Sequence, residues 1–175
     1  MTESEQQEKY KNLKKATLVT GIAAVFIFIF ESYLLGAPIF SVFVVIYLIF
    51  YLVPVCLFSF KNIPRLRFYG YKLLIYTILV FSTFGFHAYD ISIAMQRADK
   101  IITAAEQYHQ DNGRYPDTLE NLVPAYMSEI PSPRIAPGVF YYLGAPEDPH
   151  LMFVEFPPFG RLSWSFINKV WITID

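Results

Sequence analysis

The chain has 175 residues, 54% of them hydrophobic and 18% aromatic, with a formal net charge of −1 and a mean hydropathy of +0.35. It is too apolar for an ordinary soluble domain and lacks the basic excess of a nucleic-acid surface. Its single cysteine, Cys56, excludes an intrachain disulfide and any cysteine-based metal site.

Residues 1–15 are polar and set Lys9, Lys11, Lys14 and Lys15 against Glu3, Glu5 and Glu8, which predicts a short cytoplasmic tail or frayed helix. A cleaved signal peptide is not expected, because the apolar run that follows is too long for an h-region and no small-x-small site ends it. Ala16–Leu35 is an apolar run of 20 residues, enough to cross about 30 Å of hydrocarbon. Glu31 is its one charge. An intramembrane carboxylate is a functional candidate, but Glu31 lies about one helical turn from Gly36 and also reads as an interfacial group reaching headgroups or a neighbouring helix.

Gly36-Ala37-Pro38 is a minimal turn, so the next span must return antiparallel. That span, 39–60, contains no charge; Pro54 is expected to kink it, and Cys56 reads as a small apolar filler. Lys61–Lys72 is expected to be a basic loop, and residues 72–89 a third span with Tyr69, Tyr71 and Tyr89 at the interfaces. Both basic clusters precede an odd-numbered span. The positive-inside rule therefore puts the N-terminus in the cytoplasm and everything after Tyr89 outside it. From Asp90 onward, 6 basic residues face 11 acidic ones, a balance of −5.

The third span runs without a breaker into an amphipathic stripe made by Ala94, Met95, Ala98, Ile101, Ile102, Ala105 and Tyr108, at helical spacing. A helix from Tyr71 to Asn112 would be about 63 Å long, and roughly half would stand clear of the membrane. Asn112-Gly113 should end it in the left-handed conformation. Asp117 and Glu120 have the spacing of a capping box, so a short helix is expected from Thr118, limited by Val123-Pro124, with Tyr115 packed beneath it.

The pattern A-x-x-Y-x-x-D-N-G-x-Y-P-x-T-L-x-x-L-V-P-x-Y, from Ala105 to Tyr126, resembles the major pseudopilins of type II secretion systems and related type IV pilin-like proteins. Asn112, Gly113, Tyr115, Pro116, Leu119 and Leu122 carry the turn. The resemblance covers about half the chain, from roughly Gly70, and implies a bacterial inner membrane and an extracytoplasmic α+β head in which a long helix packs on a small antiparallel sheet. It also brings calcium into question, since some members of that family bind the ion in C-terminal loops; Glu147-Asp148 offers oxygens but no Asp-x-Asp ladder.

Nine of the 12 prolines lie from Pro116 onward, and Ile130–Pro137 is expected to be an irregular loop. Four strands are predicted at Val139–Leu143, Leu151–Phe156, Arg161–Ile167 and Val170–Ile174. In the third, Leu162, Trp164 and Phe166 alternate with Ser163 and Ser165, and Asn168-Lys169 suits a tight connection to the fourth. So small a sheet needs the helical stripe to bury its inner face. The domain organisation expected is a tail (1–15), a three-helix anchor (16–89) and a pseudopilin-like domain (90–175).

No catalytic constellation stands out. His87, His109 and His150 read as surface or interfacial residues without metal-ligand spacing, and G-x-S-x-G, P-loop and G-x-G-x-x-G motifs are missing. No cofactor, nucleic acid or small-molecule substrate is expected. The chain also departs from a prepilin. Arg65, Arg67 and Gly70 mimic a leader and cut site, yet Ile75 stands where the family carries Glu, and two spans precede it. The expected function is a non-enzymatic, membrane-fixed interaction module that docks on a membrane or periplasmic protein, with Tyr141, Tyr142, Phe159 and Trp171 as candidate surface. The alternative is a small accessory subunit of a larger integral-membrane complex; an enzyme or transporter would have only Glu31 to build on.

Overall fold

A computed structural model describes residues 3–135, 138–145, 147–157 and 159–174, with residues 3–6, 9, 10 and 159 described by backbone alone. The chain divides after Phe86 into two compact units.

The first unit is helical. Helix α1 spans Glu3–Ile29 and continues as a π-helical segment, Phe30–Leu35. The helix thus starts well inside the expected tail. Gly36, with φ of 66°, closes it, and its N–H donates to the Glu31 carbonyl at 2.9 Å, the i→i+5 bond of a π-turn. Helix α2 (Ile39–Tyr47) passes through a second π-helical segment, Leu48–Leu52, into helix α3 (Val53–Leu57). Pro54, in the first turn of α3, cannot donate to the ladder. The widened turn just before it accommodates that gap. The regular helix ends three residues short of the expected Phe60.

Helix α4, Ile63–Asn112, is 50 residues long and takes in most of the expected basic loop. Its start is fixed by Asn62, whose Oδ1 accepts the Arg65 N–H at 3.2 Å, and by Pro64 in the first turn, where a missing N–H costs nothing. Among the described residues, three helical stretches are long and apolar enough to cross a membrane: Lys11–Leu35, Ile39–Leu57 and Ile63–Asn112.

The second unit packs the C-terminal part of α4 on a four-stranded antiparallel meander: β1 (Tyr141–Leu143), β2 (His150–Phe156), β3 (Phe159–Ser165) and β4 (Val170–Ile174). Phe156 pairs with Phe159 across the β2–β3 turn, so β3 begins two residues before the predicted Arg161. The stripe of α4 supplies Ala94, Ala98, Ile101, Ala104 and Ala105 to a core completed by Leu119, Leu122, Ile135, Phe140, Leu151, Phe153 and Phe166. Small helix residues let the sheet approach closely, and the large sheet side chains fill the space. Arg134 reaches back to α4, its Nε 3.0 Å from Oδ1 of buried Asp90, and so pins the proline-rich segment.

Candidate interaction face

Strand register divides the sheet into two faces. The inner rows are Tyr142–Leu151–Trp164–Trp171 and Phe153–Leu162–Thr173. Trp171 lies 5.6 Å from Trp164 and 5.8 Å from Phe153, ring centre to ring centre, and belongs with the core. Tyr142 is also half-buried, and its hydroxyl donates to the Pro116 carbonyl at 2.9 Å. Burial, helped by neighbouring Tyr115 and Asp117, pushes its phenol well above the ordinary tyrosine value. Tyr142 and Trp171 are therefore not surface residues as expected, because period-2 alternation turns them towards the helix. The side chain of Phe159 lies outside those described.

Tyr141 does face outward. With it on the outer face stand Leu143, Val170, Ile172 and Ile174, all retaining between 37% and 55% of their exposure, whereas Phe156, at the end of β2, packs edge-on against His87 of α4 at 5.6 Å. Five large apolar side chains on one side of a small sheet form a patch of the kind that marks a contact surface.

The middle of that face is polar and closed. Ser163 and Ser165, which alternate with the inner-facing Leu162, Trp164 and Phe166, are nonetheless buried. Asp148 Oδ2 lies 2.9 Å from His150 Nε2, His150 Nδ1 lies 2.9 Å from Ser163 Oγ, and Ser165 donates to Asp148 Oδ1 at 2.9 Å. Ser165 Oγ also accepts from the Asn168 N–H at 3.1 Å. His150 is thus a cross-strand link and not a plain surface histidine. Burial works to raise the Asp148 pKa, but the Ser165 and His150 hydrogen bonds outweigh it and hold the carboxyl below the ordinary aspartate value. The three types match those of a nucleophilic triad, but a buried Ser163 hydroxyl offers a substrate no approach. The cluster fastens the β2–β3 hairpin to the β3–β4 turn. Its sequence signal was D-x-H followed by S-x-S, two pairs that share a face only once the hairpin register is known.

Both Asp148 oxygens are engaged in that link, and no group of three or more His, Cys, Asp or Glu that could hold a metal ion occurs among the described residues.

The turn motif supports this sheet. Gly113 adopts φ of 71° and donates to the His109 carbonyl at 2.8 Å, closing α4. Asn112 Nδ2 donates to the Tyr108 carbonyl and to the Tyr126 hydroxyl. Tyr115 does not find its main partners under the short helix. It stacks on His109 at 4.3 Å and meets Phe166 at 5.0 Å, while its hydroxyl is 3.3 Å from Glu106 Oε1. Burial and that carboxylate raise its pKa. The capping residue is Thr118 and not Asp117: Asn121 Oδ1 accepts the Thr118 N–H at 3.0 Å and opens a 3₁₀ turn, Leu119–Leu122. Leu119 and Leu122 are buried, as is Pro116.

Glu31, in the first unit, is fully buried. Its carboxylate accepts the Ser41 N–H at 2.7 Å and the Ser41 hydroxyl at 2.5 Å. Ser41 lies in the first turn of α2, whose N–H groups have no partner within the helix. Glu31 therefore caps α2 from the preceding helix.

No family model matches the chain, and comparison with curated proteins and with solved structures finds no match.

Proposed function

We propose that this chain is a membrane-anchored, non-enzymatic interaction module whose second unit, pseudopilin-like and outside the cytoplasm, docks on a protein partner through the outer face of its sheet. The observation that carries this reading is the exposed row of Tyr141, Leu143, Val170, Ile172 and Ile174 around a locked polar centre. Such a face is rigid before contact, so little ordering entropy opposes docking. The turn from Gly113 to Leu122, which ties the helix end to β1 and the β3–β4 turn, supports the likeness to pilin heads. The three apolar helical stretches and the basic residues before α1's apolar run and at the start of α4 support the orientation.

Photo-crosslinking amino acids placed in vivo at Leu143, at Ile172 and at Phe50, which is exposed in the first unit, test the reading. Protein crosslinks from Leu143 and Ile172, with only lipid adducts from Phe50, are expected. Crosslinks to protein from Phe50 alone would overturn it in favour of an accessory subunit held through its helices.

A further inference from the structure

Within the first unit, a groove of about 1030 Å³ opens between α1 and the start of α4. Lys14, Thr17, Gly21 and Val25 line one wall, and Arg67 and Tyr71 the other. The helices meet farther along, where Phe86 of α4 lies 5.9 Å from Phe28 and 5.6 Å from Tyr33. The groove is thus a wedge, open towards the charged end of α1. From the structure we infer that it is a binding site for one phospholipid with an anionic headgroup, its phosphate between Lys14 and Arg67 and an acyl chain along Gly21 and Val25.

Two properties favour this occupant. The first is charge: two cations stand at the same end of an otherwise apolar trench, the arrangement by which basic pockets between membrane helices hold anionic headgroups. The second is depth. Lys14 to Val25 spans about 17 Å along a helix, close to one leaflet, or half of the roughly 30 Å hydrocarbon core. A partner helix would need a seam through both leaflets, and the contact of Phe86 with Phe28 and Tyr33 closes the wedge before that. The trench is open at Gly21, where even a Cβ would meet nothing within 4 Å. The inference rests on the reading that α1 and α4 cross the bilayer.

The test is native mass spectrometry of the full chain released from nanodiscs that contain equal phosphatidylglycerol and phosphatidylcholine. Persistence in the membrane fraction after alkaline carbonate checks the spanning reading separately. The expected result is one retained phosphatidylglycerol. Its retention should fall about tenfold or more in Lys14→Gln/Arg67→Gln, which removes two basic contacts. Gly21→Leu should put a side chain in the path of the acyl chain and reduce retention without unfolding the chain, because leucine is the better helix former. Lys11→Gln/Lys15→Gln, exposed on α1 but outside the groove, should leave it unchanged. Equal retention of both lipids, or an equal loss in the Lys11/Lys15 variant, would overturn the site in favour of unspecific attraction. Displacement by inorganic phosphate alone would make it a phosphate site, and a second polypeptide in place of lipid would make it a helix-docking seam; either overturns the proposal.

Discussion

Two glycines show how single residues hold the second unit together by different means. Gly113 has open space where a Cβ would stand, so its constraint is the backbone, with φ of 71°. Gly113→Val should cost more than about 1 kcal/mol, since a β-branched residue is strained at positive φ. Gly144 is the reverse case. A Cβ there would press into the carbonyl of Asp117, backbone against backbone, so even Gly144→Ala should loosen the join between the turn and the β1–β2 loop. Amide exchange of the full chain in detergent reads both: faster exchange over residues 100–122 is expected for Gly113→Val, and over 115–122 and 141–152 for Gly144→Ala. Unchanged exchange in both variants would mean that the turn does not carry the unit. The first constraint was legible in the sequence, because Asn-Gly after a helical stripe demands a left-handed closure. The second was not, because a close approach between segments 27 positions apart leaves no local pattern.

At the scale of elements, strand existence was readable from alternation, and the stripe from Ala94 to Tyr108 does face the sheet. Boundaries were harder where capping decided them. Asn62 and Pro64 start α4, yet positive charge drew attention to a loop; Thr118 displaces Asp117 as the cap, with Asn121 and not Glu120 as its partner. The outer face was misjudged for a related reason: aromatic residues mark contact surfaces and cores alike, and only register separates Tyr141 from Tyr142. The role of Glu31 became readable only through its partner. A carboxylate one turn from Gly36 could have faced lipid headgroups, but Ser41 brings two donors to it. In a membrane no water would satisfy the Ser41 N–H if that acceptor were lost. Glu31→Ala should therefore destabilise the α1–α2 hairpin by about 1–3 kcal/mol, with Glu31→Gln less affected because one acceptor oxygen remains. Thermal unfolding in detergent, followed by the accessibility of Cys56 to a maleimide, measures this. Equal stability of Glu31→Ala and the parent would remove the capping role and reopen a functional one.

For the whole molecule, the outstanding question is whether the chain behaves as a pilin precursor or as a fixed anchor. Gly70 follows Arg65 and Arg67, as a leader glycine would, but it sits inside α4, past the capped first turn. A peptidase needs extended backbone, so cleavage there requires local unwinding of a hydrogen-bonded helix. The residue that guides assembly in the resembled family is also missing, since Ile75 stands at its position. Upstream, Glu31 ties α1 to α2, so two apolar stretches would leave with the leader or hold the third in place. Burying a large apolar side chain is worth about 1.5–3 kcal/mol, so lifting even one span of about 20 residues from the bilayer costs tens of kcal/mol. A bundle costs several-fold more. The chain is therefore expected to stay uncut between Gly70 and Tyr71 and to remain in the membrane. The intact mass of protein recovered from the membranes of a host with an active prepilin peptidase measures this. A species beginning at Tyr71 would make the first two apolar stretches a leader and α4 a filament spine, whereas an uncut Gly70–Tyr71 bond supports the fixed anchor.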